Sequence, residues 1–213
     1  MSNLASEKSR AILFTSKQCP HCPSVKKILM ELNQSGELAQ LDIYDIAEDH
    51  ELVEQYKVRS VPWFKISELE FQGLHTAGEL RYWVEKANTE EGVLRYLTDN
   101  LNEGRLSTVE KLIKQHHDYL TIALRILEDV TAPIQVRIGL GAVLEDLAGT
   151  PLMDSLLPAL EKLTEHKDHR VRGDACHYLG FIKNAKSKEA LKRCLDDEHP
   201  EVREIAQDSL IDP

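Results

Sequence analysis

One phrase recurs three times in the C-terminal half of this chain, and it constrains what that half can fold into. It stands in "APIQVRIGLGAVLEDLA" (132–148), "DHRVRGDACHYLGFI" (168–182) and "EHPEVREIAQDSLI" (198–211). Each copy opens on a Val-Arg pair: Val136-Arg137, Val171-Arg172, Val202-Arg203. Three positions after the Arg comes Leu140, Ala175 or Ala206, and four further on Leu144, Leu179 or Leu210. The Val residues are 35 and 31 residues apart. That spacing marks helical repeats, in which one helix pair cannot bury its apolar face alone and must stack on the next. The segments 119–129, 152–165 and 187–197 supply the first helix of each pair. The first copy carries Gly139 and Gly141 and has Leu140 at the small position, so it is expected to be distorted or to cap the stack. Residues 90–117 read as two more helices that join or cap.

Residues 1–88 follow a different rule. Short β-prone runs at 11–16, 38–46, 61–66 and 69–73 alternate with helical periods at 24–34, 49–58 and 77–88. The order is βαβαββα, which predicts parallel pairing through crossovers with an antiparallel hairpin at the end. The chain is therefore expected to be α/β plus all-α: an N-terminal domain at 1–88, connecting or capping helices at 89–118, and a helical solenoid at 119–213.

The chain has 213 residues, 42% hydrophobic and 29% charged, with a formal net charge of -10. That balance suits a globular protein with a real core. It argues against nucleic acid as a partner, since phosphate binding needs basic stripes. The opening "MSNLASEKSR" is polar, and the apolar run that follows is too short for an export signal. No stretch is long enough to span a bilayer. The expectation is a cytoplasmic protein with no membrane partner, where a Cys-x-x-Cys is catalytic or metal-binding rather than a lasting structural bridge.

Such a motif stands at Cys19-Pro20-His21-Cys22, between a strand and a helix. Disulfide exchange needs a thiolate attacker and a second thiol near enough to resolve the mixed disulfide. A helix start favours negative charge on the first sulfur. No acidic residue occurs between Arg10 and Met30, while Lys17, Lys26 and Lys27 do. Lys17 is thus a candidate tuning charge, or simply part of a solvated face. A metal site is the rival reading. Structural zinc takes four ligands, and the other two cysteines, Cys176 and Cys194, are isolated in the repeats, where they read as small core residues. The adjacent His116-His117 points two ways on a helix and reads as surface. Arg137, Arg172 and Arg203 read as structural, bonding the neighbouring turn or an acid in the next repeat.

"CPHCP" after the "FTS" strand, together with "VRSVPWFKISELEFQG" (58–73), resembles the thioredoxin superfamily, in particular its small glutaredoxin-like members, over residues 11–88. The resemblance implies a redox-active Cys19–Cys22 disulfide with no other cofactor and no metal. It also implies a cis Pro62 beside the dithiol, with the Val61 backbone offered to a substrate peptide. The Pro20-His21 pair is similar to that of the periplasmic disulfide oxidase DsbA, which implies a thiolate stabilised by His21. Three positions depart from the superfamily: Leu13 where many thioredoxins bury an acid, Gln18 where a Trp is usual, and Lys27 where a proline kinks the helix. The region 119–213 resembles HEAT repeats of the short kind also found in phycobilisome lyases.

The expected function is a cytosolic thiol–disulfide oxidoreductase. Cys19 attacks, Cys22 resolves, His21, Pro20 and Lys17 tune, and Val61 and Pro62 position the substrate. Its expected partners are protein disulfides or thiols, with a further protein held by the repeats. Two alternatives stay open: a redox-sensitive scaffold whose dithiol only reports oxidation state, and a zinc or cluster adaptor through Cys19 and Cys22.

Overall fold

The computed structural model describes residues 8–211, so most of the polar N-terminal segment read above as lacking an export signal lies outside the described residues. The chain divides into two compact units, Met1–Tyr96 and Leu97–Pro213. Among the described residues no helix is long and apolar enough to cross a membrane.

The first unit runs β1 (Arg10–Thr15), α1 (Cys22–Gln34), β2 (Gln40–Asp45), α2 (His50–Gln55), β3 (Trp63–Ile66), β4 (Leu69–Gln72), α3 (Ala77–Lys86) and the start of α4 (Glu90–Asn102). The four strands form one sheet in the order β2-β1-β3-β4. Only β1 and β2 pair in parallel; β3 lies antiparallel to both β1 and β4. This corrects the expectation that parallel pairing extends through the second crossover. The reason is length. A helix as short as α2 spans only about 9 Å, while a six-residue strand is about 20 Å long. The α2 segment cannot return the chain along the sheet, so β3 enters from the end where β1 and β2 finish.

The core follows from the periodicities. Helix α1 buries Cys22, Val25, Leu29 and Leu32 along one stripe, and α3 buries Leu80, Trp83 and Val84. Between strand faces lie Leu13, Phe14, Phe64 and Ile66, all fully buried. Helix α3 starts at a reciprocal cap: Thr76 Oγ1 accepts from the Glu79 N–H, and the Glu79 carboxylate accepts from the Thr76 N–H. The outer strand β4 is closed off by Tyr96, whose hydroxyl donates to the Glu70 carbonyl at 2.7 Å and accepts from its N–H at 3.3 Å.

The second unit continues with α5 (Leu106–Gln115), α6 (Asp118–Ala123), α7 (Arg125–Glu128), α8 (Ile134–Asp146), α9 (Pro151–Asp154), α10 (Leu157–Leu163), α11 (His169–Leu179), α12 (Ala185–Cys194) and α13 (Pro200–Ile211). The three Val-Arg phrases form α8, α11 and α13. Their Val and small positions, Val136, Val171, Val202, Leu140, Ala175 and Ala206, are completely buried. Two of the partner segments are broken where single helices were expected. Residues 152–165 divide into α9 and α10 because Pro158 has no N–H to continue the ladder. Residues 119–129 divide at Leu124, where Leu127 bonds the carbonyl three residues back. The first copy is not distorted: α8 is unbroken. A Cβ on Gly139 would stand 3.2 Å from the side chains of Leu101 and Leu106, so its glycine serves close packing.

The repeated arginines do both jobs considered for them. Arg137 donates to the Leu127 and Asp129 carbonyls and pairs with Asp174 on α11. Arg172 donates to the His166 carbonyl at 2.9 Å and grips Asp197 through two bonds of 2.8 and 2.9 Å. Arg203 donates to the Asp197 carbonyl at 2.7 Å. Each guanidinium satisfies carbonyls at the end of the preceding helix or in the turn after it, and the first two reach an acid of the next repeat. Arg172 is buried, and its hydrogen bonds hold the Asp197 carboxyl below the usual carboxylate range.

Breaking this pair takes the charged partner from a largely covered Asp197 and leaves it the His199 N–H alone among these bonds. Arg172→Met is expected to destabilise the second unit by about 3 kcal/mol in urea unfolding. Because the Asp197 value is depressed in the folded chain, its contribution is complete above roughly pH 4 and is lost as pH falls through the lower folded value. Stability of the Arg172→Met variant should therefore fall less steeply between about pH 4 and 2 than that of wild type; an identical acid slope contradicts the assignment.

Candidate redox site

Strand β1 ends at Thr15 and leads into a tight turn in which the Cys19 N–H bonds the Ser16 carbonyl at 3.2 Å. Helix α1 begins at once, at Cys22. Pro23 lies in its first turn, where the missing N–H costs nothing. His21 is the N-cap residue but makes no side-chain cap bond, and the first turn holds no acid. The helix start is thereby left to the sulfur: the Cys22 N–H points at Cys19 Sγ at 3.1 Å. Cys19 and Cys22 sit at disulfide distance, with their Cα atoms 5.5 Å apart.

The two cysteines differ in access. Cys19 is half-buried, whereas Cys22 is 1% exposed against the α1 core stripe. An incoming sulfur can reach the first and not the second, which is the asymmetry an attacker and a resolver need.

The antiparallel β1–β3 pairing sets Phe14 opposite Trp63, so the end of β1 and the start of β3 lie side by side. The segment just before β3 therefore meets the cysteine turn. The Val61–Pro62 bond is cis. The Val61 carbonyl oxygen stands 3.5 Å from Cys19 Sγ. Pro62 is buried, and its carbonyl accepts from the Gly73 N–H at 2.8 Å, which anchors the segment to the end of β4. Behind it Trp63 packs on Phe14 and Tyr56, with ring centroids 5.5 and 5.7 Å apart.

The structure thus gathers Cys19, Cys22, Val61 and Pro62 in one place. Pro20 and His21 lie exposed on the turn itself. Lys17 turns to Glu48, 3.4 Å away, with both side chains largely in solvent. Leu13, at the position of the acid in many thioredoxins, is completely buried and offers no proton carrier.

The reading of Cys176 and Cys194 as buried core residues holds. Cys176 and Cys194 are isolated in sequence but meet in space, where α11 packs on α12. The hydrogen bond that Cys176 shares with Cys194, together with burial, pushes the Cys176 thiol well up. The residues lie on different helices of different phase, so no spacing rule in the sequence brings them together. Sequence reasoning also missed Ser16, whose hydroxyl accepts from the Gln18 N–H and whose carbonyl shapes the turn. A Ser just after an apolar strand is the signal that could have found it.

Comparison with known proteins agrees with both halves. The thioredoxin-domain family model matches residues 10–85, and the HEAT-repeat model matches residues 123–211. The thioredoxin of Methanocaldococcus jannaschii is 31% identical over 71 residues, covering 32% of this chain and 84% of that protein. A mutant thioredoxin from Halobacterium salinarum, among solved structures, is 22% identical, covers 38% of this chain and 76% of its own, and has a TM-score of 0.35. The chain belongs to the thioredoxin family through its N-terminal unit, and it carries HEAT repeats in its C-terminal unit. Thioredoxin-like proteins work through a redox-active disulfide without an added cofactor, and Cys19 and Cys22 are the pair at that distance here.

After reduction of the native chain, brief treatment with iodoacetamide should label Cys19 and spare Cys22, Cys176 and Cys194, which are 1%, 0% and 6% exposed. Tandem mass spectrometry reads the result. Labelling of Cys22 at the rate of Cys19 would contradict the asymmetry.

Proposed function

We propose that the protein is a thiol–disulfide oxidoreductase of the cytoplasm whose helical repeats recruit a protein partner or substrate. The observation that carries this reading is the Cys22 N–H aimed at Cys19 Sγ across an otherwise uncapped helix start. In the reduced protein that N–H and the helix terminus stabilise a Cys19 thiolate. The thiolate attacks one sulfur of a substrate disulfide and expels the other as a thiolate. Cys22 then gives up its proton and attacks Cys19 Sγ, which forms the Cys19–Cys22 disulfide and releases the second substrate thiol. Two electrons pass to the substrate, and an external dithiol must return them. Run backwards, the same steps oxidise a substrate dithiol.

Val61 and Pro62 position the substrate chain beside Cys19. His21, exposed on the turn, and Pro20 shape the local field. Lys17 contributes only through its charge, which Glu48 offsets. With Leu13 in place of an acid, the Cys22 proton leaves through water or another group. The HEAT repeats, a surface suited to protein partners, supply specificity.

The test is a trap. Full-length Cys22→Ser should accumulate mixed disulfides through Cys19 in cell extract, released by reductant, while Cys19→Ser accumulates none. Reduction of a peptide disulfide by Cys19→Ser should fall by roughly a hundredfold or more. If Cys22→Ser traps nothing while a partner still binds a Cys19→Ser/Cys22→Ser chain through the repeats, the protein is a scaffold and this function is wrong.

A further inference from the structure

A second cluster of donor atoms lies in the C-terminal unit, at the paired starts of two successive repeat helices. His169 is the first residue of α11. His199 sits just before α13, and Glu201 is in that helix's first turn. The two imidazole rings stack with centroids 3.7 Å apart and planes 20° from parallel. His169 Nε2 lies 3.8 Å from Glu201 Oε2. One donor atom from each of the three residues falls within 4.8 Å of the others. His199 Nδ1 is buried and has no hydrogen-bond partner among the described residues.

We infer that His169, His199 and Glu201 form a binding site for a divalent transition-metal ion, with zinc as the best match. Two imidazoles and one carboxylate are a donor set for such ions, and three protein ligands leave a fourth position for water. The spacing fits. Bonds of about 2.0–2.1 Å to a tetrahedral centre place neighbouring donors ~3.3 Å apart. The observed 3.8 Å between His169 and Glu201 is close to that. The stacked rings do not both face one ion as they stand, so binding requires the His169 ring to swing out of the stack, which its position outside the core permits.

The neighbouring charges narrow the choice of ion. Helix starts carry positive partial charge, which repels a hard cation held by electrostatics alone. The nearby Asp168 and Asp197 are already engaged by Arg170 and Arg172. An ion that bonds strongly to imidazole is what this place can hold, and sodium, magnesium and calcium are not. The His199 Nδ1 is the independent sign: a buried ring nitrogen with no partner among the described residues is a polar group that calls for one. The bound ion would tie the start of one repeat to the start of the next, on the same side as the Arg172–Asp197 clasp. The site is separate from the cysteine pair and does not depend on the proposed function.

The experiment uses the full-length, tag-free chain carrying Cys19→Ser and Cys22→Ser, so that the dithiol cannot bind metal. Cobalt(II) is titrated while its visible absorbance is followed, and zinc then displaces it in calorimetric competition. One ion per chain is expected, with a nitrogen–oxygen spectrum lacking thiolate charge-transfer bands. His169→Gln should weaken binding by at least about tenfold. Glu201→Gln, at an exposed position, should do the same and keeps the test decisive if His169→Gln disturbs the helix. Failure to saturate, a thiolate spectrum from Cys176 and Cys194, or unchanged affinity in a natively folded Glu201→Gln chain would each overturn the assignment.

Discussion

The antiparallel pairing of β1 with β3 is the constraint on which the site rests. It sets Phe14 against Trp63 and so brings the end of one strand and the beginning of the other to a common edge. Everything reactive follows from that edge. The turn after β1 carries Cys19, and the segment before β3 presents Val61 O to it. Had β3 run parallel to β1, Pro62 would stand at the far end of the sheet. The buried aromatic contacts of Trp63 hold the arrangement by removing large rings from water, a contribution of roughly 2–3 kcal/mol for each such side chain.

The helix start completes the site by what it lacks. Ser, Thr, Asp and Asn are the side chains preferred over the first N–H groups of a helix. Helix α1 has His21 at the N-cap, makes no side-chain cap bond, and turns its Cys22 N–H toward sulfur. Some helices of the second unit start differently. There Thr150, Asp168 and Asn184 cap α9, α11 and α12 in the ordinary way. Its recurrent arginines satisfy carbonyls in the turns that lead into their helices. What sets the start of α1 apart is that its first N–H meets a reactive sulfur.

Much of this was legible in the residues. A strand, a Cys-x-x-Cys and an amphipathic period in succession define the turn and the helix, and the Val-Arg phrase defines α8, α11 and α13. Strand direction was not legible, because a period of two says which face is buried and nothing about which way the chain runs. The short reach of α2 decided it. The meeting of Cys176 with Cys194 and the stacking of His169 on His199 were hidden for a related reason. Each joins residues from neighbouring helices whose relative rotation only packing sets. The arginines were read correctly as structural, but their double duty needed the geometry of Asp174 and Asp197 to be seen.

The claim that Cys19 and Cys22 exchange disulfides, rather than staple the chain, is tested most directly by their reduction potential. It is measured by equilibrating the full-length chain in redox buffers of known poise and quantifying the reduced fraction by thiol labelling and mass. An exchanging pair at an open helix start should lie between about -270 and -120 mV, the span from thioredoxin to DsbA. A value below about -300 mV is that of a structural disulfide, and would contradict the account.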